Sequence, residues 1–229
     1  MSSSTRTTTP TSTLTTRGAT ARTDVPAPAP TAGIGAALTP RAVRRLGTGL
    51  AIGALAWAAP LAVWGPNPDP ADTAGVVAIT AGAFLFQLGV YLLLAVQART
   101  GAIGTGRAAR VFIAVEHVLV AGAILNTLDP ALPFLRGTLW HGVFDACWPL
   151  SMLGMFAIGV RIAVKGRWRG VLRLWPLVAE SWAVVVVPVS GFAPSGTGVV
   201  GALHLLVGYV TLGVLLARRP ALVLGTGRE

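Results

Sequence analysis

A chain of 229 residues, 53% hydrophobic and 11% charged, is too apolar for a water-soluble domain and fits a polytopic membrane protein. Its net charge of +10 does not point to nucleic acid, because the basic residues are spread among short loops instead of lining one face or motif. The single cysteine, Cys147, excludes an intrachain disulfide, and without CxxC or Cys/His ligand spacing it excludes a thiol relay or structural zinc site.

Residues 1–40 are rich in Ser, Thr, Pro and Ala and show no helical or strand periodicity, which predicts a disordered tail. From Val43 onward six apolar runs, at 43–64, 74–97, 109–128, 139–162, 171–190 and 197–217, meet the roughly 20 residues needed to cross a bilayer. The expectation is therefore an all-α protein, with one six-transmembrane-helix bundle over residues 41–219 and a short tail at 220–229. The linkers are too short to hide a soluble domain. Arg41, Arg44 and Arg45 precede the first run, and Arg99, Arg107 and Arg110 surround the second turn. Arg161, Lys165, Arg167, Arg169 and Arg173 surround the fourth, and Arg218, Arg219 and Arg228 follow the last. The alternate loops hold Asp69, Asp72 and Asp129 with only Arg136, so both termini are expected on the cytoplasmic side of a bacterial cytoplasmic membrane. Trp64, Trp140, Trp168 and Trp175 lie near run ends, where indole rings favour the headgroup region. The Gly101–Gly106 stretch reads as a turn, since no Lys-Ser/Thr follows it.

Glu116, His117, His141, Asp145, Glu180 and His204 all fall inside the apolar runs. An ionisable group at membrane depth is costly unless paired or facing a polar cavity, so each is a candidate functional residue. Depth counted along the helices puts Glu180 at the midplane, with Glu116 and His117 close to it. Asp145 and His141 fall toward the outer face, Gln87 near mid-depth and Asn126 at the outer end. This predicts an outward-facing vestibule. His141 and Asp145, four residues apart, can meet on one helix face, and Pro149 leaves the Asp145 carbonyl without its helical donor. The alternative for that pair is a capping contact at a helix end. Glu116 and His117 point about 100° apart, so only one can face the interior, and an interhelical hydrogen bond competes with a chemical role. Glu180 in "LWPLVAESWAVVVVP" has no basic residue within a turn, so it is protonated or paired across helices, with His204 or His117 as partners. His204 alone, and Trp57, Trp148 and Trp182, also read as packing residues. No His pair shares a helix face, so neither a metal nor a haem cofactor is expected.

The stretch "DACWPLSMLGMFAIGVRIAV", followed by "GRWRGVLRLWPL", resembles the fourth span, basic loop and fifth span of small six-span actinobacterial membrane proteins, most of them without an assigned function. That resemblance covers about residues 140–190, and it implies the architecture and source but no activity. In architecture the chain is also similar to small membrane-bound terpene cyclases, which set acidic residues among aromatic ones inside a helical bundle, although no catalytic motif of that group matches residue by residue. The leading expectation is an acid/base enzyme acting on a lipophilic, isoprenoid-type substrate as a cyclase or isomerase. Glu180 or Asp145 would be the acid, His204 or His141 the acceptor, and Glu116 and His117 supporting groups. Trp148, Trp182, Gln87 and Asn126 would contact substrate. A proton-coupled transport component and a non-catalytic membrane subunit are the alternatives. The expected partners are the lipid bilayer, a lipophilic small molecule and further copies or a membrane complex, with no nucleic acid.

Overall fold

The computed structural model describes residues 38–129 and 132–225, so most of the expected N-terminal tail and residues 226–229 lie outside the described residues. The first helix, α1 (Pro40–Trp64), starts where Thr39 Oγ1 accepts the Ala42 N–H at 3.1 Å and proline occupies the first helical position. Helix α2 (Thr73–Thr100) is capped by Asp72 and stops at Gly101, whose φ of 60° is left-handed and suits glycine. After the expected turn come α3 (Arg107–Thr127) and α4 (Leu139–Lys165), the latter continuous through Pro149. The fifth span is broken into α5 (Trp175–Ala179) and α6 (Trp182–Phe192), with Glu180 and Ser181 at the break. The sixth is α7 (Thr197–His204), a π-helical segment Leu205–Val210 and α8 (Thr211–Arg218). A short helix, α9 (Ala221–Leu224), occupies what the sequence suggested was tail.

Among the described residues there is no strand, and six helical spans are long and apolar enough to cross a membrane. This is a multi-pass membrane protein. Consecutive spans pack on one another and the sixth closes back on the first, giving a ring of six around a common interior. Closure depends on glycine: a Cβ on Gly47 of α1 would lie 2.6 Å from the Gly213 carbonyl oxygen of α8. Large apolar side chains such as Ile52, Val63, Val118 and Leu153 point outward, as a lipid-facing surface requires.

One end of the ring carries the arginines that flank the spans and is called the basic end below; the other carries Asp69, Asp72 and Asp129. The basic end is plugged by the connection between α4 and α5, where Trp168 and Leu172 are fully buried. This corrects the expectation that Trp168 belongs to an interfacial belt. Its Nε1 donates to Thr100 Oγ1 at 3.0 Å, and a ring with that fixed polar partner packs better inside than at the headgroups. Trp168→Phe is expected to cost about 1 kcal/mol in unfolding free energy, the net value of one buried hydrogen bond. Trp64 and Trp140 are exposed near span ends as the belt expectation has it, whereas Trp175 Nε1 donates to the Val207 and Gly208 carbonyls at 3.2 Å.

Candidate functional site

At mid-depth the ring encloses a cavity of about 50 Å³ to which every span contributes. Five aromatic rings line it: Trp57 from α1, Phe86 from α2, Trp148 from α4, Trp182 from α6 and Tyr209 from the π segment. Trp57 stacks on both Phe86 (5.1 Å between centroids) and Trp182 (5.3 Å), and Phe86 meets Tyr209 edge-on at 4.9 Å. Two polar groups belong to this lining and have no hydrogen-bond partner, Trp57 Nε1 and Gln87 Oε1. Trp148, Trp182 and Gln87, expected from the sequence to contact substrate, are among the lining residues, as are Trp57, read there as packing, and Phe86 and Tyr209, which the sequence does not single out.

Toward the basic end lies a polar layer that does not line the cavity. Gln97 Nε2 donates to Glu180 Oε1 at 2.6 Å, and both side chains are buried, at 0% and 1% exposure. Among the described residues the second carboxyl oxygen of Glu180 has no hydrogen-bond partner, nor does Gln97 Oε1. Glu116 of α3 is equally buried, and its Oε1 is also unpartnered. Glycines on α4 make room for both acids: a side chain at Gly154 would overlap the Glu116 carboxylate, and a Cβ at Gly159 would lie 2.8 Å from Glu180 Oε2. Five residues of helix separate these glycines by about 7.5 Å along the axis, so the two carboxyl groups stand at successive depths against α4. Gln97 also lines a cleft between the ends of α2 and α3, flanked by Arg99 and Arg110.

Two expectations for Glu180 are corrected by this geometry. It does not pair with His204 or His117, and it does not sit at the midplane. Its contact, Gly159, lies seven residues beyond Met152, the middle of α4, which puts the carboxylate about 10 Å toward the basic end. The cause is the break in the fifth span, whose helix begins at Trp175 instead of 171 and stops at Ala179. Close backbone packing holds the break, since a Cβ on Gly208 in the π segment would lie 2.8 Å from the Ala179 Cα. A helix break buried against a π segment is where irregular backbone is tolerated in a membrane bundle, and both features recur at functional sites.

The histidines are dispersed. His117 points away from the interior, as the 100° offset from Glu116 requires; its Nδ1 donates to the Ile113 carbonyl at 2.7 Å and its ring meets Tyr91 edge-on. Ser181 Oγ lies 2.8 Å from the Val178 carbonyl and 3.1 Å from His204 Nε2, and His204 Nδ1 has no partner among the described residues. The expected His141 and Asp145 pair is not formed. His141 Nδ1 lies 3.4 Å from Asp129, which also accepts from Arg136 at 2.9 Å, while exposed Asp145 accepts from Asn126 at 3.4 Å. Asp129, in the loop, can approach the first turn of α4 more closely than Asp145 can reach back along it. These side chains therefore do not pair with the buried acids, and Asn126 is not among the residues that line the cavity.

Among the described residues no three His, Cys, Asp or Glu side chains gather as a metal site. No protein-family model, curated protein or solved structure matches the chain. What the fold and site define is a multi-pass membrane protein in which an aromatic cavity at mid-depth stands above a buried layer of two acids and a glutamine.

Proposed function

We propose that the protein is a proton-coupled transport component in which Glu180 binds and releases the proton and Gln97 joins it to the basic end. The observation that carries this reading is the buried Glu180 carboxyl at a helix break, hydrogen-bonded to neutral Gln97, with no salt bridge to it among the described residues. Acids buried within a bundle without a cationic partner are costly to keep, and proton relays are a common reason for keeping them. Glu116, packed against Gly154, extends the series along α4 in the direction of the cavity lined by Ser151 and Met155. Discontinuous helices next to a central cavity also suit a site whose occupant alternates between two sides. The excess of arginine at the basic end supports a cytoplasmic location for that end and for both termini. Six spans without an internal repeat suit an oligomer or a larger complex.

The test is proton uptake into potassium-loaded vesicles after valinomycin sets a membrane potential, followed with an entrapped pH dye. Wild type is expected to exceed empty vesicles, and Glu180→Gln to lower the rate at least tenfold. Equal rates for wild type, variant and empty vesicles would sink the reading.

The five aromatic rings favour a second reading, an intramembrane acid/base enzyme of cyclase or isomerase type acting on a lipophilic substrate. A cavity of about 50 Å³ is well below the roughly 300–1,000 Å³ of ordinary ligand sites, so an isoprenoid would enter only if the spans part. Mass spectrometry of molecules that co-purify with wild type and with Glu180→Gln separates the two readings, because only the enzyme yields a substrate and product that differ covalently.

A further inference from the structure

The cavity carries a chemical signature of its own. Its walls are apolar and aromatic, yet Trp57 Nε1, a donor, and Gln87 Oε1, an acceptor, are each buried in lining residues without a protein partner. Leaving such groups unpaired away from water is costly, so an occupant that satisfies both is favoured. The geometry points to a binding site for a hydroxyl group on a small apolar body: a neutral alcohol whose O–H donates to Gln87 Oε1 and whose oxygen accepts from Trp57 Nε1.

Other chemistries fit less well. An ether or ketone accepts from Trp57 but gives Gln87 nothing, and a hydrocarbon satisfies neither. A carboxylate would set its charge beside the Gln87 oxygen with no cation in the lining, and an ammonium would face the Trp57 N–H with no carboxylate there. Size sets a further limit. A space of about 50 Å³ holds a few water molecules, hence a hydroxyl with a few carbons. The aromatic rings then cover the carbons by ordinary apolar contact. The hydroxyl belongs either to a free short alcohol or to the end of a longer lipophile that reaches in between the spans.

The proposal goes beyond the proton-transport reading and does not depend on it, because it names the group that an occupant of the cavity must carry. The experiment is a titration of nanodisc-embedded protein with prenol (3-methyl-2-buten-1-ol), at concentrations expressed per lipid and followed by tryptophan fluorescence, since Trp57, Trp148 and Trp182 all line the cavity. A saturable change is expected for prenol, with its methyl ether about tenfold weaker, the worth of one good hydrogen bond, and 2-methyl-2-butene, which makes neither bond, weaker still. Gln87→Leu and Trp57→Phe should each weaken prenol about tenfold; Gln87→Leu should leave the ether nearly unchanged, whereas Trp57→Phe should weaken the ether as well, since it removes the ether's one donor. Farnesol binding at least as tightly as prenol supports the hydroxyl site and assigns it to a long lipophile; prenol alone supports it and assigns a short alcohol. No saturable change with either alcohol, or equal affinities for prenol and its ether in wild type, overturns the proposal without recourse to any variant. Glu180→Gln should bind prenol as wild type does, so loss of proton uptake and loss of alcohol binding are separate failures.

Discussion

Gln97→Leu is expected to lower the unfolding free energy by about 2 kcal/mol, and the double variant Gln97→Leu/Glu180→Leu to recover most of that loss. The measurement is reversible unfolding in mixed micelles. Interhelical hydrogen bonds in membrane bundles average only about 0.6 kcal/mol, because the separated helices find other partners in the bilayer. This one belongs at the upper end, since the acceptor is a carboxyl, the bond is 2.6 Å long and neither residue has appreciable exposure to solvent or lipid. Removing the amide leaves Glu180 with both oxygens unpartnered, a penalty of its own beyond the lost bond. Replacing both partners by apolar groups removes penalty and bond together, which is why the double variant recovers. A double variant as unstable as the sum of the singles would show that the two side chains do not interact. The same set separates structure from function. If the pair served only to hold helices, the recovered double variant would lose nothing in vesicles, whereas as a relay it passes no protons.

The fold was legible from periodicity and composition, because a span across hydrocarbon must be long, apolar and helical, and the predicted 74–97 and 139–162 lie inside α2 and α4. The site was legible only in part. Counting residues from assumed span ends put Glu180 at the midplane because a break at Glu180 and Ser181 leaves no mark in hydropathy. Gln97 went unnoticed as one polar residue in "LLLAVQART", near enough to a span end to pass for an interfacial group. Its partner is 83 residues away in sequence, and only ring closure brings them together. His141 and Asp145 show the reverse error. Their spacing permits a contact along one helix face, but a loop acid, Asp129, competes for the imidazole from outside the helix. Short-range geometry says what a side chain can reach, and tertiary packing decides what it does reach. The glycines of α4 held a usable signal, since Gly154 and Gly159 stand in an otherwise bulky apolar stretch, and small residues in such a place mark a close approach.

Gly213→Leu should prevent folding, or destabilise the bundle by roughly 3 kcal/mol or more, while Gly142→Leu should be neutral or slightly stabilising. Both glycines are helical, so propensity alone favours leucine at each by up to about 1 kcal/mol. Their surroundings differ. A Cβ at Gly213 would meet the Ala51 amide nitrogen at 2.7 Å, and these are backbone atoms of α1 that no rotamer change can move. At Gly142 nothing lies within 4 Å, and a leucine there would extend into lipid. The contrast bears on the site because α1 and the sixth span supply Trp57 and Tyr209, and the sixth span must lie against α1 for those rings to share one cavity. Forcing the two apart opens the ring at its closing contact, so a Gly213→Leu protein that still purifies as a single species should no longer show a saturable response to prenol. Gly213→Ala, which adds only the methyl group, is expected between the two in thermal stability. Equal melting temperatures for Gly213→Leu and Gly142→Leu in the same detergent would mean that α1 and α8 are not in backbone contact, and the six spans would then enclose no common interior.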